Sequence, residues 1–86
     1  MHGRVDLDNL GKSLHAAGEC HANQGRFDEA LPWFERAVAE KQKGDVHGRV
    51  DPESLAASVA AAARCHAVLR EIAEAVSSHI ASLRDS

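Results

Sequence analysis

The sequence predicts an all-α protein, an α-α superhelix of two tandem helix-turn-helix units. Three observations carry this. The segment His2-Gly3-Arg4-Val5-Asp6 returns as His47-Gly48-Arg49-Val50-Asp51, forty-five residues later. Apolar residues then step by three and four along almost all of the chain, as one face of a helix requires. Glycine and proline fall at the edges of those runs far more than inside them.

The two copies stay in register without a gap. Leu10 falls on Leu55, Ser13 on Ser58, Ala16-Ala17 on Ala61-Ala62, Cys20-His21-Ala22 on Cys65-His66-Ala67, and Glu29-Ala30 on Glu74-Ala75. An internal repeat of this kind means stacked units that share a core, not two units each closing its own. The chain therefore reads as one domain over residues 1–86, with a first repeat over about 2–46 and a second over about 47–86.

In the first helix, Asp6 is placed to cap and Asp8 adds charge at the positive end. Leu7, Leu10, Leu14, Ala17 and His21 mark its buried face. Asn23-Gln24-Gly25-Arg26 stops it, with Gly25 free to take the left-handed conformation. A second helix opens at Phe27 with Asp28 and Glu29 in its first turn. Phe27, Ala30, Leu31, Phe34, Ala37 and Val38 form its stripe, and Lys41 and Lys43 precede the stop at Gly44. Pro32 removes a backbone donor inside this helix and predicts a slight kink or a looser first turn.

The third helix has the clearest start: Asp51 as cap, Pro52 in the first position, Glu53 next. Beyond Pro52 there is no further glycine or proline, and Arg70-Glu71 stands where the first copy has Gly25-Arg26. Leu69, Ile72, Val76, Ile80 and Leu83 keep the helical rhythm past that point. Repeat symmetry predicts a turn near Arg70 and a fourth, antiparallel helix. Local propensity predicts instead one helix from Pro52 to about Leu83, which would pair with a second chain as a swapped dimer. The four-helix reading is the expectation.

Composition narrows the function. Only Phe27, Trp33 and Phe34 are aromatic, so the core must be built from Ala, Leu, Val and Ile. The formal net charge is −3 and the basic residues are scattered, which argues against nucleic acid or an anionic membrane as partner. No apolar run approaches the roughly 18 residues of a membrane span, and the polar N-terminus does not read as a signal peptide. Cys20 and Cys65 occupy equivalent positions and read as reduced, buried thiols of a cytoplasmic protein.

Six histidines raise the question of metal. Cys20-His21 and Cys65-His66 hold the right donor types for zinc. Adjacent helical residues point about 100° apart, however, and no Cys-x-x-Cys spacing occurs. Nothing in the sequence supplies an oxyanion hole beside a Cys-His pair, and Gly44 and Gly48 follow no phosphate-binding pattern. The expectation is a protein without catalytic residues, cofactor or metal.

Leu14, Ala17 and Gly18, the ring at His21, then Gly25, Phe27, Ala30, Phe34 and Ala37, together resemble the tetratricopeptide repeat. Gly25 to Lys43 looks most like the longer kinesin-light-chain type, whose extended repeat the spacing of forty-five fits. The second copy departs from the pattern, with Ala63, Arg70 and His79 where the first has Gly18, Gly25 and Phe34. The resemblance implies a scaffold that binds a partner protein or peptide in a concave groove. Lys12, His15, Ala16, Glu19, Ala22 and Asn23 would line it from the first helix, and Ala60, Ala61, Arg64, Ala67 and Val68 from the third. His15, Glu19 and Ala61 stand where some members of the family carry the residues that clamp a terminal carboxylate, so that ligand is not expected. An alternative is self-assembly: two units leave apolar ends bare, and such arrays usually need three or more.

Overall fold

A computed structural model describes residues 7–44 and 47–85, with side chains from residue 10. Among these residues the chain forms three helices: α1 (Leu7–Asn23), α2 (Phe27–Lys43) and α3 (Pro52–Arg84). The all-α class holds. The expected fourth helix does not form, because α3 runs unbroken through Arg70 for 33 residues.

The two candidate turns explain the difference. At the end of α1, Gly25 has φ 80°, its N–H donates to Ala22 O at 2.9 Å, and Arg26 N–H reaches back to His21 O at 2.9 Å. This pair of bonds closes a helix through one left-handed residue, which glycine adopts without the penalty other residues meet. At the equivalent position α3 has Arg70. An arginine has a good helix propensity and a steric cost of roughly 1–2 kcal/mol in the left-handed conformation. The helix therefore continues, reaching about 50 Å in length.

α1 and α2 form an antiparallel hairpin held at unusually close range by two glycines. A Cβ on Gly18 would lie 2.7 Å from the Phe34 ring, and one on Gly11 would lie 2.8 Å from Lys41 Cγ. Leu14, on the same face between them, is buried. α2 continues through Pro32, which is exposed, so the Asp28 carbonyl left without a helical donor sits on the solvent side. Gly44, with φ 82°, ends α2 in a spot where a Cβ would meet the backbone of Gly48 at 2.7 Å.

α3 starts as its sequence predicts. Asp51 Oδ1 accepts from Glu53 N–H at 3.0 Å and Ser54 N–H at 3.3 Å, and Pro52 takes the first turn. Its first half lies against α2, and the core is Ala30, Phe34, Ala61 and Cys65 with Ala22, Phe27, Leu31 and Ala62 packed around it. From Arg70 to Asp85 every residue is exposed. The expected cap at Asp6 lies outside the described residues, as does the first copy of the repeated pentapeptide.

The two copies bury opposite faces. Ser58, Ala61 and Cys65 are buried under α2, whereas their counterparts Ser13, Ala16 and Cys20 are exposed on α1. Cys20 thus corrects the expectation of two buried thiols; Cys65 alone is buried. Leu14 is 5% exposed against α2, while its counterpart Val59 is 49% exposed because no described helix covers that side of α3.

Candidate partner-binding surface

The residues expected to line the groove fall on one face of α1 and on the adjoining part of α3, except that Ala61 is buried in the core under α2 and Ala22 packs against that core. Lys12, Glu19 and Asn23 are exposed along α1, and Arg64 is exposed on α3 with Val68 half-buried one turn beyond. His15 is half-buried and already engaged. Its Nδ1 lies 2.8 Å from Ser58 Oγ, its Nε2 lies 3.7 Å from Glu19, and its ring is 5.1 Å from that of Phe34.

Ser58 is the centre of this junction, with no exposure at all. Lys41 Nζ donates to Ser58 Oγ at 2.7 Å and to Ser54 O at 2.9 Å. An ammonium only donates, so Ser58 Oγ accepts from Lys41, and the direction of its bond with His15 Nδ1 follows the imidazole tautomer. Burial first, and then the charge of Lys41, hold the His15 pKa below its ordinary value, with Arg64 adding to this and Glu19 opposing. Burial likewise lowers the Lys41 pKa, with Lys12 acting in the same sense against Asp51 and Glu19.

Three helices thus meet in one polar contact, supplied by His15 from α1, Lys41 from α2 and Ser58 from α3. Sequence reasoning named His15 and missed the other two. Lys41 carried only the signal of a cation near a helix C-terminus. Ser58 carried only its equivalence with Ser13, which is exposed. Around the junction, Lys12, Lys41 and Arg64 stand against the carboxylates of Glu19 and Asp51.

At the other end of the hairpin, His21 stacks on Trp33 with ring centroids 6.2 Å apart, and Arg36 lies 5.3 Å from the Trp33 ring. His21 Nδ1 is buried and 3.4 Å from Glu29, yet outside hydrogen-bond geometry. The outer side of the hairpin holds a shallow recess of about 270 Å³ lined by Leu10, Leu14, Arg36, Ala39 and Glu40. Burial pushes the Cys65 thiol pKa up, with the Arg64 charge pulling the other way. Among the described residues no three His, Cys, Asp or Glu side chains converge, and no helix is long and apolar enough to cross a membrane.

Residues 11–43 match the family model of the tetratricopeptide repeat. The matched stretch is α1 from Gly11, the Gly25 turn and all of α2. No curated protein matches the chain, and no solved structure does.

Proposed function

We propose, from the tetratricopeptide match over residues 11–43, that the chain is a non-catalytic module that binds another polypeptide in the cytoplasm. That match is the observation that carries the reading. The docking of α3 on the hairpin supports it, since a third helix covering Ala30, Leu31 and Phe34 is how such units stack. The surface between α1 and α3 is the binding site in this reading. Lys12 and Arg64 flank it with positive charge, and Ala60 and Ala67 line it with exposed apolar carbons. A segment with small apolar side chains and carboxylates fits that combination. The kinesin-light-chain type of repeat remains part of the proposal, supported by the spacing of forty-five.

Selection of a displayed peptide library on the immobilised protein tests this. Enriched peptides are expected to be acidic and to lose at least about tenfold in affinity on Lys12→Glu with Arg64→Glu, as removal of two close charges implies. Failure to enrich any peptide, or binding indifferent to both substitutions, sinks the reading.

A further inference from the structure

The second half of α3 carries a stripe of large aliphatic side chains that no part of the described chain covers. Ile72, Val76, Ile80 and Leu83 are 51%, 52%, 46% and 62% exposed, and half-buried Leu69 precedes them. The stripe is symmetric. Counted from Val76, Ile72 and Ile80 lie four residues away on either side, and Leu69 and Leu83 lie seven away. Both spacing and identity read the same in either direction: Leu, Ile, Val, Ile, Leu. Self-complementary order about one point is what a two-fold axis requires of a surface that meets its own copy. The four steps span fourteen residues, the 3.5-residue average of a coiled-coil seam.

The flanks agree. Between Ile72 and Leu83 the one charged residue is Glu74, which points about 160° away from Val76. Ala73, Ala75 and Ser77 stand beside the centre, so two backbones can approach there. The direction of pairing also follows from the fold. The steps Cys65, Leu69, Ile72, Val76 keep to one helix face, so the stripe continues the side of α3 on which the α1–α2 hairpin sits. A parallel partner would place its residues 52–68 where that hairpin already lies. An antiparallel partner carries its own hairpin to the far end of the seam.

We propose that α3 is a homodimerisation helix. Two chains pair antiparallel over Leu69–Leu83, with Val76 meeting Val76 on the two-fold axis, Ile72 meeting Ile80, and Leu69 meeting Leu83. The proposal rests on reading the chain as a polypeptide-binding module, and names a second copy as one of the polypeptides bound. It differs from a swapped dimer, because the partner covers residues 69–83 and leaves Val59 and Ala63 bare.

Sedimentation equilibrium over a concentration series, together with cysteine cross-linking in a Cys20→Ser background, tests it. The unmodified chain is expected to reach a plateau at twice the monomer mass, and Val76→Glu to weaken the dimer at least a hundredfold. Val76→Cys is expected to oxidise to a linked dimer. Ile72→Cys is expected to link to Ile80→Cys when the two variants are mixed, and not to itself. A chain that stays monomeric, mass that climbs past two copies without a plateau, or preferential linkage of Ile72→Cys to itself would overturn the proposal. Peptide binding lost on Lys12→Glu with Arg64→Glu but kept on Val76→Glu separates this test from that of the groove. A monomer that still binds peptide refutes only the dimer, and a dimer that binds none refutes only the groove.

Discussion

Gly18 meets the Phe34 ring at a distance no side chain could share, with a Cβ placed there lying 2.7 Å from Cε1 and 2.8 Å from Cδ1. The absent methyl sets the separation of α1 and α2. Propensity alone would make Gly18→Ala stabilising by about 1 kcal/mol. The contact reverses the sign, since overpacking a tight site costs roughly 1–3 kcal/mol. Urea denaturation is expected to show Gly18→Ala less stable than the parent and to show recovery on adding Phe34→Leu. Additive effects of the two changes would argue against a shared contact.

The Ser58 junction gives a pH dependence. His15 binds its proton more weakly in the folded chain than an ordinary imidazole, which titrates at 6.5. Below that value the unfolded chain takes the proton first, so stability is full above about 6.5 and falls as the pH drops toward the lower folded value. Thermal melts from pH 8 to pH 5 are expected to lose stability over this window, and His15→Gln to flatten the loss. An unchanged slope in that variant would assign the acid sensitivity elsewhere.

Ser58→Ala removes the hydroxyl that joins Lys41 to His15. Lys41 keeps Ser54 O, but the half-buried His15 Nδ1 loses its hydrogen-bond partner, a cost of about 1 kcal/mol. Chemical denaturation is the check, and Ser13→Ala on the exposed counterpart is expected to change stability by less than about 0.5 kcal/mol.

The thiols are expected to separate by reagent. Cys20 is exposed, while Cys65 is buried with its pKa raised. A water-soluble disulfide reagent therefore titrates one thiol per folded chain quickly and the second only on unfolding. Two fast thiols in the native chain would contradict the packing of Cys65 against α2.

Much of this was legible in the residues. The apolar rhythm, the Gly25 stop and the Asp51-Pro52 start define α1, α2 and the beginning of α3 where the helices occur. Duplication predicts a turn near Arg70, and the local chemistry of Arg70-Glu71 overrides it. A repeated sequence does not repeat a fold when the one residue able to reverse the backbone has been replaced. Burial of Ser58 and exposure of Cys20 were hidden for a related reason. Equivalent positions in the two copies meet different neighbours, since α2 covers that face of α3 and no described helix covers it on α1. The groove residues were legible only as a face. That His15 is spent on an internal contact follows from Lys41 and Ser58, which lie 17 residues apart.

Arg70 in place of glycine has a further result, which lies in cooperativity. The described chain before it is expected to melt as one unit, because the hairpin and the first half of α3 share one core. The following fifteen or so residues are all exposed, and a free helix of that length is marginal in water. Amide protons beyond Arg70 are therefore expected to exchange far faster in dilute solution than those of Ala61 or Cys65. Arg70 thus marks the boundary between a part of the chain held by its own core and a part whose order, in the proposed dimer, a second copy supplies.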